Sequence, residues 1–130
     1  AFNGEEQEMQ GSAYYARNPC YPLDGAVMIN IDCVGASEPG PLVINEFSAI
    51  TTSMAYDLYE LSCRLDIEVE MGSSYASDHA HFALAGVEAI DLTDSGFCSV
   101  FHGPFDTPDL IDIERVVDVV RLIAVYSCIH

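Results

Sequence analysis

Apolar positions along the chain alternate between helical and strand-like spacing, and the switches lay out its elements. Residues 7–17, with Met9, Ala13, Tyr14 and Ala16 available to pack, predict a short helix. Two prolines and a glycine make 18–25 a loop. Ala26-Val27-Met28-Ile29-Asn30-Ile31 is an apolar run with one polar break, the pattern of a central strand covered on both faces, and it ends on Asp32. Leu42-Val43-Ile44 is a second short strand. Over 46–65, Phe47, Ile50, Met54, Tyr56, Leu58, Leu61 and Leu65 recur at near-helical intervals and predict one long amphipathic helix. Residues 67–71 alternate as a strand does. A loop over 72–77 leads into a short helix over 78–85, closed by Gly86 in the C′ position. Residues 87–92 read as another strand and 93–108 as a loop. The stretch 110–129 is the most apolar helix, with Asp109 or Asp112 as its cap. At the start, Phe2-Asn3 reads as the exit of a buried strand.

Strands alternating with helices argue for an α/β architecture, a mixed and mainly parallel sheet flanked by helices. No repeat and no composition break divides the 130 residues, so one domain is expected over 1–130. The charge is lopsided, with 21 acids against four arginines and no lysine. A formal charge of −17 argues against nucleic acid or an anionic membrane surface as partner and suits cations. Because half the chain is apolar, this is a folding sequence and not a disordered acidic tail. No apolar run approaches the roughly 18–20 residues of a membrane span. Cys20, Cys33, Cys63, Cys98 and Cys128 are odd in number and widely spaced, which fits neither a zinc ribbon nor a disulfide framework. Buried free thiols are expected, with one or two disulfides if the protein is secreted.

The candidate chemistry begins at Glu5-Glu6. Neighbours on a strand point to opposite faces, but a turn assisted by Gly4 can aim both carboxylates into one pocket. One can then hold a metal while the other moves a proton. Taken alone, the pair reads as a solvated acidic turn. In open α/β sheets, sites form beyond the carboxyl ends of strands. Asp32, Ser77-Asp78-His79 and Phe101-His102 fall at such ends or in loops after them, and carboxylate with imidazole is a donor set suited to zinc. Each has a plain alternative. Asp32 can simply end a strand, and His102 can be a loop histidine bonded to backbone. His79 and His81, two residues apart, cannot face one site together on a helix. His130 is terminal and is expected to fray.

Together and in order, these residues carry a resemblance. Phe-Asn-Gly-Glu-Glu, then Gly-Ser-x-x-Tyr, Asn-Ile-Asp-Cys-Val-Gly, Ser-Asp-His-x-x-Phe-x-x-x-Gly-Val and His-x-x-x-Asp-Thr resemble the M28 family of zinc-dependent exopeptidases. The resemblance runs from Phe2 to the last helix. It implies a zinc-exopeptidase-like α/β sandwich, two bridged zinc ions and a peptide substrate hydrolysed at its N-terminal bond. It implies Glu5 as general base, Glu6 and His102 as ligands sharing one zinc, and Asp32 as ligand to the other. Asp78 and His79 would support the site or line its pocket. Tyr75 resembles a tyrosine that donates to the developing oxyanion, although it stands one residue closer to Ser-Asp-His than in the family pattern. Phe101 replaces a frequent tyrosine and Gly103 a usual threonine, which reshapes the pocket. The family pattern also has an upstream His-x-Asp, which this chain does not contain. The resemblance thus assigns three of five ligands and implies the C-terminal part of a larger catalytic domain, with an upstream segment to complete it. A secreted or cell-envelope location is implied by the family alone. Two alternatives stay open: a single-zinc acyltransferase like glutaminyl cyclase, and a non-catalytic interaction domain or inactive fragment. The retained Glu5, Glu6, Asp32 and His102 argue against the last, while the missing His-x-Asp favours it.

Overall fold

The two inner strands of the sheet are buried along most of their length. The computed structural model describes residues 2–37, 40–47, 52–96 and 102–130. Its elements are α1 (Gln10–Arg17), β1 (Val27–Ile31), β2 (Leu42–Glu46), α2 (Ser53–Leu65), β3 (Val69–Ser73), α3 (His79–Leu84), β4 (Glu88–Asp94) and α4 (Ile113–Ile129). The strands form one open sheet in the order β1-β4-β2-β3. β1 runs parallel to β4 and β2 parallel to β3, while β2 and β4 are antiparallel, so the sheet is mixed and mainly parallel as expected.

Alternation along the strands sends side chains to two different layers. On one face Leu42, Ile44, Ile90 and Leu92 pack against Met54, Ala55 and Leu58 of α2 and Val119, Leu122 and Tyr126 of α4. On the other, Met28 and Ala89 lie against Phe82 and Val87, with Phe2, Tyr15 and Leu23 closing over them. The rest of this second face opens into the cavity described below.

Several expected boundaries shift. Phe2 is not in a strand. Its ring sits 5.8 Å from that of Tyr15 and 5.5 Å from that of Phe82. The first helix starts at Gln10 rather than residue 7, because Glu8 and Met9 hold positive φ angles of 62° and 54° that no α-helix accepts. β1 stands at an end of the sheet order instead of its centre, and Val27 and Ile31 are about half exposed. The long helix expected over 46–65 is two elements. Glu46 completes β2, in register with Ser73 and Ile90, and α2 starts at Ser53 behind Thr52, whose side chain accepts from the Ala55 N–H at 3.2 Å. Ile50 lies outside the described residues. β3 covers 69–73 because Val69 pairs with Leu42, and β4 extends to Asp94, into the expected loop. Asp112, not Asp109, caps α4, accepting from the Glu114 N–H at 2.9 Å; Asp109 lies in a single 3-10 turn, Pro108–Leu110.

Gly86 follows α3 as expected, its N–H donating to the Ala83 carbonyl at 3.0 Å. Cys20, Cys33, Cys63 and Cys128 are free but exposed, not buried as expected, and Cys98 lies outside the described residues. His130 stacks on Tyr126 at 4.5 Å instead of fraying. Among the described residues no helix is long and apolar enough to cross a membrane.

Candidate functional site

The cavity forms where β1 ends, where the N-terminal turn crosses it, and where the loop after β3 folds back. Its volume is about 550 Å³ and its walls include Glu5, Glu6, Met9, Asp32, Asn45, Ser77, Asp91 and His102. Gly4, at φ +71°, makes the turn that delivers both glutamates, and this is the conformation glycine adopts without strain. The Met9 N–H donates to the Glu5 carbonyl at 2.8 Å and the Gln10 N–H to Gly4 at 3.1 Å, which pins the turn onto α1. Cys33 and His102 also hold positive φ, at 52° and 62°. Non-glycine residues in that region store strain, and the two stand at the cavity.

Four expected site residues meet here: Glu5, Glu6, Asp32 and His102. Glu6 Oε1 and His102 Nε2 approach to 3.0 Å, both side chains well exposed to solvent. The Glu5 carboxyl is held above its ordinary value by burial first, then by the charges of Asp32, Glu6 and Asp78, with His102 opposing them. Asp32 is half-buried. Its Oδ2 accepts from the Ser77 hydroxyl at 2.9 Å, and the Cys33 thiol faces Oδ1 at 3.5 Å. That thiol is pushed up to about 12, first by desolvation and then by Asp32.

Other expected residues stand apart. Tyr75 is 64 % exposed, its ring edge-on to Phe47 at 5.1 Å, and it does not line the cavity. His79 is fully buried, with Nε2 3.0 Å from the Ser74 carbonyl, and fastens α3 to the loop that carries Ser77. Asp78 is buried too, and its charge reaches Glu5 without lining the cavity. Phe101 lies outside the described residues.

Two groups at the site, Asp91 and Asp94, carry no mark in the sequence, and a third, Ser77, takes a role that its motif does not state. Asp91 lies under the cavity, accepting from Asn30 at 2.9 Å and Asn45 at 3.3 Å. Burial raises its carboxyl, and these two amides and His79 oppose the shift. The sequence marks Ser77 only as part of Ser-Asp-His, and in the fold its hydroxyl holds Asp32. Asp94, 3 % exposed, receives Arg115 from α4 through Nε at 2.8 Å and Nη2 at 3.0 Å. It also accepts the Ala36 and Gly96 N–H groups at 3.2 Å each, while Arg115 bonds the Gly40 carbonyl. One buried ion pair thus ties the loops after β1, before β2 and after β4 to α4. No local pattern marks Asp91 or Asp94, since their partners come from distant elements.

The model of peptidase family M28 matches residues 1–127. The chain belongs to peptidase family M28. No curated protein sequence matches it. Among solved structures it is similar to an aminopeptidase from Aneurinibacillus sp. strain AM-1, with 28 % identity and a TM-score of 0.84 over 96 % of this chain and 31 % of that one. It shares the fold of the zinc aminopeptidase BSAP from Bacillus subtilis at 22 % identity and TM-score 0.83, over 98 % of this chain and 34 % of that one. The glutaminyl cyclase of Porphyromonas gingivalis shares the fold at 21 % identity and TM-score 0.71, over 97 % of this chain and 50 % of that one. This M28 chain therefore spans about a third of the length of the two aminopeptidases.

Whether the residues suit zinc can be judged from the donors. Two ligands of one tetrahedral zinc, each about 2.0–2.1 Å from it, stand about 3.3 Å apart. The 3.0 Å between Glu6 Oε1 and His102 Nε2 is close to that separation, and carboxylate with imidazole is the right chemistry. Among the described residues, no three His, Cys, Asp or Glu side chains converge closely enough to hold an ion by themselves. The M28 chain thus supplies a fitting pair and not a closed site.

Proposed function

We propose that this chain carries the general base and three zinc ligands of an M28 aminopeptidase centre, which removes N-terminal residues from peptides. The observation that carries the reading is the convergence of Glu5, Asp32 and the Glu6–His102 pair on one cavity. Glu6 and His102 would hold one zinc and Asp32 a second. Bound there, zinc supplies a water acidified toward neutral pH and a Lewis acid for the scissile carbonyl. Glu5 accepts the proton of the attacking water and returns it to the leaving amine. Its raised affinity for protons suits a group that must both take and give one. Asp32, fixed through Oδ2, keeps its other oxygen for a cation. The acidic cavity favours a cationic amino terminus over an anionic carboxyl terminus.

A second reading follows from the count of donors. One glutamate, one aspartate and one histidine are the donor types expected of a single-zinc, glutaminyl cyclase-like acyltransferase, and here Glu6, Asp32 and His102 would have to draw closer together to share one ion. The test is one assay series on the protein that carries this chain. Release of the first residue from unblocked peptides, lost to a chelator and restored by zinc, supports the aminopeptidase. Ring closure of N-terminal glutamine without residue release supports the cyclase instead. Neither activity in zinc-loaded protein overturns both.

A further inference from the structure

The cavity floor is a polar row that crosses the whole sheet. Asn30 of β1 stands opposite Asp91 of β4, Asp91 opposite Asn45 of β2, and Asn45 opposite Gly72 of β3. Polar groups in a sheet interior cost free energy unless bonded, and these are bonded to one another. Asp91 accepts at Oδ1 from Asn30 and at Oδ2 from Asn45. A Cβ on Gly72 would lie 2.6 Å from Asn45 Oδ1, so a residue without one leaves the Asn45 amide its place.

The row has a direction. A carboxylate only accepts, so Asp91 turns the nitrogen of the Asn30 amide toward itself. The second hydrogen of that nitrogen goes to Ser77 Oγ at 2.7 Å. Ser77 then accepts from Asn30, and its one hydrogen goes to Asp32 Oδ2 at 2.9 Å. Asp91 accepts at one end, and from Asn30 onward each donor points toward Asp32. With Oδ2 committed, Oδ1 of Asp32 meets, among the described residues, only the weak Cys33 thiol donor at 3.5 Å.

We propose that Asp91, acting through Asn30 and Ser77, is a positioning residue for Asp32: it sets the polarity of a hydrogen-bonded relay that occupies Oδ2 and leaves Oδ1 to a cation. The role of that cation rests on the reading of Asp32 as a zinc ligand; the relay itself does not. Asp91→Leu removes the acceptor that orients Asn30, whereas Asp91→Asn keeps one acceptor oxygen for it. Ser77→Ala cuts the last link, and Ser77→Thr retains the hydroxyl.

The experiment uses the full chain and two readouts. Without metal, carbon-13 NMR follows the Asp32 side-chain carboxyl and proton–nitrogen spectra follow the Asn30 amide. With metal, competition against a chelator gives zinc affinity. Asp91→Leu and Ser77→Ala are expected to move the Asp32 signal and weaken zinc about 10–100-fold, the usual cost of losing a partner behind a ligand. Asp91→Asn and Ser77→Thr are expected to restore both. An Asp32 signal indifferent to Asp91→Leu in folded protein overturns the proposal, as does an Asp91→Asn variant no better than the leucine. If Asp91→Leu does not fold, the serine pair and Asp91→Asn decide by the same criteria. A wild type that binds no zinc, while the Asp32 signal follows the relay as expected, sinks the zinc reading of Asp32 and upholds the relay.

Discussion

Glu5 and Glu6 are adjacent in the chain and differ in surroundings. Glu6 faces His102 in solvent, and Glu5 is partly withdrawn among Asp32, Glu6 and Asp78. Such a division suits a ligand beside a base. The motif that marks the pair is local, so it was legible in the sequence. Asp91 was not, because its meaning depends on a register between β1, β4 and β2 that no short pattern encodes. Its pH signature has a definite sign. A carboxyl raised above its ordinary 3.8 contributes stability fully below that value and loses it as pH climbs through the folded value. Thermal melts of Asp91→Asn are therefore expected to lose less stability than wild type between about pH 4 and neutrality. Parallel pH curves for the two proteins would contradict the assignment.

At the scale of elements, the strands and α4 could be read from periodicity, and the failures have physical causes. Glu46 is an acidic residue yet is 4 % exposed, because β2 lies inside the sheet and its side chain accepts from the Thr52 N–H. A helical pattern that ran through it masked the break before α2. β1 reads as central from its apolar run but stands at an end of the sheet order in this chain, with Val27 and Ile31 half exposed. The caps make a direct prediction. Asp112→Ala removes the acceptor for the Glu114 N–H and should cost about 0.5–2 kcal/mol in urea unfolding, as such caps do. A larger effect is expected at the Arg115–Asp94 clamp. Arg115→Ala leaves a buried carboxylate without its cation and should cost about 3–5 kcal/mol. An unfolding midpoint within error of wild type would show that the clamp contributes nothing.

Across the whole molecule, the 21 acids far outnumber the four arginines, and the net charge of −17 makes the folded state repel itself. Added salt shortens the range of that repulsion, so the melting temperature is expected to rise from about 0.01 M to 0.15 M sodium chloride. A fall would mean that the few ion pairs outweigh the repulsion. The layered α/β fold was legible because each layer is written in local periodicity. The strand order was not, since a β2 antiparallel to β4 depends on packing between distant segments. The proposed chemistry turns on whether Glu5 moves the proton. The direct measurement is kcat for release of an N-terminal residue by Glu5→Gln and wild type at matched zinc content, in the protein that carries this chain. A drop of about 10²–10⁴ with zinc retained is predicted, the usual contribution of a general base. Turnover within about tenfold of wild type would contradict the account.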